Sequence, residues 1–456
     1  MEELKKEPMG RLLLRLIIPS LAIVMVSGSY NIIDGIFLGR TLGVDGSSAN
    51  SYTFMIYAIV YGFSALVSQG AASLLAIELG EKNIQKANRI LGTSVILSVI
   101  IAVVQSLVIF ALLNYILKVF GTDIAYYSYI KEFCVVLLLG SPFYFVAHTL
   151  LYCLRAQGNI RKVLLINVVS FFTNLISGAV LITGFRMGFT GSALSTVCAN
   201  VVMCIILVKH FVNKNNLLML EKNCRLNIDL CKEIVSMGMP FFLTNLISIF
   251  LLTVYNRIAF NSAGEWGIAA LSIASSIYRY IISLMNAITN GVQPVVGYNY
   301  GAREFKRVTM ALRYSFLIGT IFSVSCFLVI QLGAYGITGL FNSESKEFIE
   351  YTSLALKRVL FSLPLQGIVS IGTNYFQYIG KGRISTFLVL LRQIVLQIPL
   401  AFVLSIYNGI NGLWDSYWLS DLLVFFVIVI MVNIESVKLK KIYGSSKGNT
   451  GKDCYE

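Results

Sequence analysis

The chain has 456 residues, 57% of them hydrophobic and only 13% charged, with a formal net charge of +14. That balance excludes a soluble enzyme or a nucleic-acid-binding domain, and describes a polytopic membrane protein with no room for a folded extramembrane domain. Whatever it does happens inside the bilayer.

A span needs about 20 mainly apolar residues, and the sequence predicts twelve: 12–38, 52–77, 92–117, 124–152, 163–184, 188–212, 233–258, 267–297, 309–336, 348–376, 384–406 and 409–434. The first is too long and too polar at its far end for a cleavable signal peptide, so it is expected to stay. With the N-terminus inside, basic clusters fall on one side: Lys5/Lys6/Arg11/Arg15, Lys82/Lys86/Arg89, Arg155/Arg161/Lys162, Lys209–Lys232, Arg303–Arg313, Lys381/Arg383 and the tail. The other side holds Arg40, Lys118, Lys131, Arg186, Arg257 and Lys346. This positive-inside bias places both termini in the cytoplasm. The surplus charge reports topology and some attraction to anionic lipid, not nucleic acid.

Span 1 reads PSLAIVMVSGSYNIIDGIFLG from Pro19 to Gly39, and Asp34 is its single carboxylate. Inserting such a group costs about 2.5–3.5 kcal/mol, so it is rarely there for packing. Ser27, Tyr30, Asn31 and Asp34 share one helical face. Asp34 is either interhelical glue or a titratable, cation-binding site on a transport path with Tyr30 and Asn31 beside it; the second reading is the expectation. Further polar stripes follow at helical spacing. Span 2 carries Tyr57 and Tyr61, span 5 Asn167 and Asn174, and span 7 Asn245 and Tyr255. Span 8 carries Arg279 and Asn286, span 10 Gln366 and Asn374, and span 11 Arg392. Each stripe alone reads equally as helix–helix hydrogen bonding; together they call for a shared polar interior, and these residues are the candidate substrate contacts. Glu78, Glu132, Asp415, Asp421 and Glu435, near span ends, are expected to anchor loops. Eight scattered cysteines and the distant His148 and His210 make neither a metal cluster nor a disulfide framework, so no metal site and no cofactor are expected.

The chain also repeats itself. Pro19 and Pro240, Gly70 and Gly291, Gly80 and Gly301, and Gly188 and Gly409 are each 221 residues apart; Pro142 and Pro364, and Gly158 and Gly380, are 222 apart. The polar stretch 213–232 separates the copies. The predicted architecture is all-α: two six-helix lobes, 1–212 and 233–434, with a basic tail over 435–456. An even number of spans per copy gives a pseudo-twofold axis along the membrane normal, a transporter architecture with its site at the midplane. Adding 221 to Asp34 gives Tyr255, so the intramembrane acid belongs to the first copy alone.

The run YNIIDGIFLGRTLG, together with QGAASLLAIELGEKN, LRAQGN, GVQPVVGYNYGA and the twelve-span repeat, resembles the multidrug and toxic compound extrusion (MATE) family. The likeness is greatest to its bacterial DinF-like and MepA-like exporters and covers essentially all spans. The resemblance implies an antiporter that expels organic cations or other amphipathic compounds in exchange for H⁺ or Na⁺, with Asp34 in the ion-coupling position. It also implies that Asn174 supports Asp34; where the family often has an Asp four residues on, this chain has Gly178. No carboxylate lies in the core of spans 7 or 10, which weighs against a second-lobe sodium site. The expected protein is therefore a secondary active multidrug exporter of the bacterial plasma membrane, sufficient as a monomer and in contact with lipid. Its nearly acid-free cavity suits neutral to cationic aromatic substrates. The alternative is a flippase for an anionic lipid-linked substrate, which the intramembrane Arg279 and Arg392 would suit. A channel lacks a filter loop, and an enzyme lacks paired acids or a nucleophile–base pair.

Overall fold

The computed structural model describes residues 4, 6–119, 127–221, 224–341 and 345–449; side chains at 29–36, 39–52, 54–55, 119, 440 and 442–449 lie outside that description. Every regular element among the described residues is helical. In chain order they are α1 (Met9–Gly80), α2 (Ile84–Val119), α3 (Tyr127–Ala156), α4 (Ile160–Gly178), α5 (Gly188–Val212), α6 (Ile228–Gly301), α7 (Phe305–Gly339), α8 (Lys346–Val359), α9 (Leu363–Tyr378), α10 (Gly382–Leu390) and α11 (Ile398–Asn449). Two wider-wound π-helical segments, Ala179–Gly184 and Leu391–Gln397, extend α4 and α10.

Among the described residues nine helices are long and apolar enough to cross a membrane, and α8 with α9 makes a tenth span bent by 41°. Two of the nine are interrupted: α6 at Ala263 and Gly264, and the run from α10 into α11 at Gly409. Divided at those breaks, the helices give the twelve spans predicted from the sequence. The exposed side chains along them are apolar, among them Leu139, Leu165, Leu332 and Ile406. That outward face has its solvent in hydrocarbon rather than water.

The joints recur at the sequence's own spacing. Lys82 and Arg303, Gly158 and Gly380, and Gly188 and Gly409 are pairs of residues with positive φ. At three of these positions the reason is a helix stop: Asn83 N donates to Glu78 O, Glu304 N to Asn299 O, and Lys381 N to Phe376 O. Each of these bonds closes a helix C-terminus around a left-handed residue. Close helix approaches recur too. A Cβ at Gly70 would stand 2.0 Å from Ile234 O, and one at Gly291 would stand 2.9 Å from Ile17 Cγ1.

The chain divides into two compact units: unit one is Ile18–Asn245, and unit two is Leu246–Glu456 with Glu2–Ile17. The division falls inside α1 and α6. In unit one α3 packs on α2 and α5; in unit two α9 packs on α7 and α11. The segment between α5 and α6 is pinned within unit one: Met219 N donates to Asn88 Oδ1 at 3.0 Å, and Leu218 is fully buried.

Candidate functional site

Asp421 sits midway along α11 with 1% of its surface exposed. Its helix face is otherwise small or apolar, with Ser416, Ser420, Val424 and Ile428 all buried. The serines are satisfied by their own helix, Ser416 Oγ on Leu413 O and Ser420 Oγ on Tyr417 O. The carboxylate therefore draws its partners from neighbouring elements. Ser362, the residue before α9, donates its Oγ to Asp421 Oδ2 at 2.5 Å, and Gln366 donates Nε2 to the same oxygen at 2.5 Å. Lying at the start of α9, the carboxylate also meets the positive end of that helix dipole. Arg392 supplies the counter-charge, with Nε and Nη2 both 2.7 Å from Asp421 Oδ1.

Arg392 reaches this point from the π-helical segment, whose extra residue per turn re-aims the side chains after Leu391. Its Nη2 also donates to Tyr278 Oη at 2.9 Å, and Gln366 Nε2 lies 3.3 Å from the same hydroxyl. Tyr278 packs edge-on against Tyr417 with centroids 5.7 Å apart, and Tyr417 against Tyr255 at 5.0 Å. Tyr255 Oη pairs with Ser416 Oγ at 3.1 Å, and Tyr417 Oη faces Ser275 Oγ at 3.4 Å. Three of the sequence's candidates, Tyr255, Gln366 and Arg392, thus meet in one network of unit two. The expectation that Asp421 anchors a loop is corrected: it is the network's centre. Its signal was available, since an arginine deep in a span requires a partner. Glu78, Asp415 and Glu435 pair with Lys86, Arg358 and Lys381 at 2.7, 3.1 and 2.6 Å.

Unit one holds a different polar column. Tyr144, His148, Tyr152 and Arg155 follow one face of α3 at helical spacing. The ring of His148 lies 4.2 Å from that of Tyr144 and 6.5 Å from that of Tyr152. Arg155 Cζ sits 3.9 Å over the Tyr152 ring, a cation–π contact, and Arg155 Nη2 donates to Gln69 Oε1 at 3.3 Å. Tyr57 meets Tyr144 edge-on at 5.8 Å, and Tyr61 faces Tyr152. The sequence reading found Tyr57 and Tyr61 but passed over the α3 residues they meet. Nearby on α4, Asn174 is 3% exposed and donates Nδ2 to Ser195 Oγ at 3.3 Å, while Gly178 leaves room for the ring of Phe37.

The remaining candidates do not converge. Asn167, Asn245 and Asn374 each donate to the carbonyl four residues back on their own helix. Arg279 and Asn286 are exposed on α6. The side chains of Asp34, Tyr30 and Asn31 lie outside the described residues.

Comparison with known proteins bears on both units. The sequence profile of the MatE family matches the chain twice, over residues 19–180 and 240–403. The multidrug export protein MepA of Staphylococcus aureus is 24% identical over 418 residues, covering 91% of this chain and 92% of the relative. MepA of Staphylococcus saprophyticus is 24% identical over 402 residues, 88% of each. Among solved structures, an outward-facing multidrug resistance MATE transporter of the MOP superfamily superposes with a TM-score of 0.90 at 22% identity, covering 96% of this chain and 98% of that one. A MOP superfamily transporter from Pyrococcus furiosus, described as having a binding pocket of reversed polarity that suggests a different function, superposes with a TM-score of 0.89, also at 22% identity and covering 96% and 98%.

Proposed function

The chain belongs to the MatE family, and from that premise we propose that it is a secondary active multidrug exporter of the bacterial plasma membrane. It has two lobes, 1–212 and 233–434, of which the second arose by duplication of the first. Working as a monomer with both termini in the cytoplasm, it expels organic cations and other amphipathic compounds by alternating access, in antiport with H⁺ or Na⁺. The observation that carries the exporter reading is the double family match, which lies on both halves and runs alongside full-length similarity to multidrug export proteins.

Coupling is assigned to Asp34, with Asn174 as its support and Tyr30 and Asn31 on its face. The internal repeat supports this reading. Tyr255 and Ser416, bonded in unit two, stand 221 residues after Asp34 and Ser195. Ser195 in turn receives Asn174. A carboxylate at position 34 is thereby expected to meet a prepared pair of polar groups rather than hydrocarbon. Ion and substrate then need only bias the same two-state element in opposite directions. A membrane potential of 100 mV provides about 2.3 kcal/mol per charge, and one pH unit about 1.4 kcal/mol. Together they sustain a gradient of several hundred-fold, on the order of what resistance requires.

Cationic-dye transport into everted vesicles, with pH and Na⁺ gradients imposed separately, tests the proposal. Wild type is expected to respond to at least one gradient and Asp34→Asn to neither. Concentrative transport by Asp34→Asn would return Asp34 to a structural role. The alternative, a flippase or exporter for an anionic lipid-linked or amphipathic endogenous substrate, draws on Arg279 and Arg392; translocation of labelled lipid without dye transport would put it first.

A further inference from the structure

The acids of the membrane-spanning part of unit two are already neutralised. Among the described residues Asp415 pairs with Arg358, Asp421 with Arg392 and Glu435 with Lys381. Glu265, Glu304, Glu347 and Glu350 sit at helix ends or just beyond them. Arg279 is different. Among the described residues it has no carboxylate partner, and its one hydrogen bond runs from Nη2 to Ser276 Oγ at 2.9 Å. It lies on α6 about 22 Å past the break at Gly264 and about 33 Å before Gly301, at a rise of 1.5 Å per residue. Neither end is within reach of its side chain, so it cannot snorkel to an interface. A lipid-facing guanidinium at that depth costs about 2.5–3.5 kcal/mol or more. Its exposed face is therefore a watery one.

Arg279 does not stand alone there. It interacts electrostatically with Tyr417, whose ring packs on Tyr278, and Tyr278 receives Arg392. The Arg392–Asp421 pair presents its cation rather than its anion to the open side: 20% of the Arg392 side chain is exposed against 2% of Asp421. Nε and Nη2 of Arg392 are engaged, and Nη1 has no protein partner among the described residues. The open surface of this cluster is thus two guanidinium edges with tyrosine rings between them. That is the reverse of what a purely cationic ligand needs.

We propose that unit two carries an anion-recognition site, formed by Arg279 and the free edge of Arg392 around Tyr278 and Tyr417, for the carboxylate of aromatic amphiphiles, zwitterions included. Asp421 is its positioning residue: by occupying one edge of Arg392 it fixes the guanidinium plane and leaves the other edge for the ligand. The tyrosines supply ring surface for the aromatic body. This deepens the exporter reading and rests on it for the step from binding to transport, but the site itself is a statement about binding.

Equilibrium binding to the full-length protein in detergent tests it, with a carboxyl-bearing rhodamine dye and its methyl ester as probes. Wild type is expected to bind the acid about tenfold more tightly than the ester, the size of one charge-assisted hydrogen bond. Arg279→Gln should erase that preference and Arg279→Lys retain most of it, with the thermal midpoint unchanged in both because Arg279 is exposed and bonds only Ser276. The proposal is overturned if wild type binds the ester as tightly as the acid, if neither dye binds, or if Arg279→Gln keeps the preference. Vesicle transport of the same dyes separates the two claims. Acid-selective binding without transport of either dye removes the exporter reading and leaves this site. Transport with no acid preference in binding removes the site and leaves the exporter.

Discussion

Asp421 takes donors from the start of α9, from one turn into α9 and from the π-helical segment before α11. Only this saturation allows a charged carboxylate to lie 1% exposed. Asp421→Asn or Arg392→Gln should each destabilise the protein by about 3–5 kcal/mol, because each leaves its partner buried and unpaired. Arg392→Met with Asp421→Leu should cost far less than the two single changes together. Thermal unfolding in detergent checks both, and a double variant as damaged as the sum would show that the pair does not act as a unit. The sequence marked Arg392 but not its acid, since two residues 29 apart on different helices share no periodicity. Polar stripes misled for a related reason. Asn167, Asn245 and Asn374 have cavity-lining spacing, yet their amides bond their own helix one turn back. Periodicity names a face, not what the face meets.

Helix breaks were legible where glycine marks them. Gly409 has φ +56 and no neighbour within 4 Å, so its requirement is backbone conformation, not space. Gly336 stands inside α7 with equally open surroundings and an ordinary φ. Gly409→Ala should therefore cost about 1–2 kcal/mol, whereas Gly336→Ala should stabilise by about 0.5–1 kcal/mol. Equal effects at the two sites, measured by thermal unfolding, would contradict the assignment of the span break to Gly409. The π-helical segments had no such mark. LRQIVLQ carries neither glycine nor proline, and the widened turn exists because neighbouring helices hold Arg392 and Gln393 in place.

Across the molecule the two copies keep their joints and change their chemistry. Glu78 and Lys86 form an ion pair at 2.7 Å, and 221 residues on Asn299 and Arg307 form a hydrogen bond at 3.2 Å. Losing the acid freed Arg307 for another task in unit two: its Nη2 donates to Leu4 O and Glu7 O, while Asn299 Nδ2 also holds Leu4 O. Arg307→Gln should raise hydrogen exchange selectively in the segment preceding and opening α1, by about tenfold if one charge-assisted bond is lost. Exchange there unchanged from wild type would show that the segment is held by other contacts. Tyr57 with Tyr144 becomes Tyr278 with Gln366 in the same way, an aromatic contact replaced by a hydrogen bond.

The sequence by itself determined the membrane class, the twelve spans, the 221-residue spacing of the joints and the family likeness. Each of these depends on composition or on residues close in the chain, where hydrocarbon thickness and backbone sterics leave few choices. Only the tertiary structure decided which polar residues meet. It moved Asp421 from a span end to the centre of a network, joined Tyr255, Gln366 and Arg392 around it, and left Arg279 without an acid. The boundary of the two compact units inside α1 and α6 was likewise its finding. In a bilayer every buried polar group must find a partner somewhere, but the partner can come from any helix, and the one-dimensional pattern does not say which.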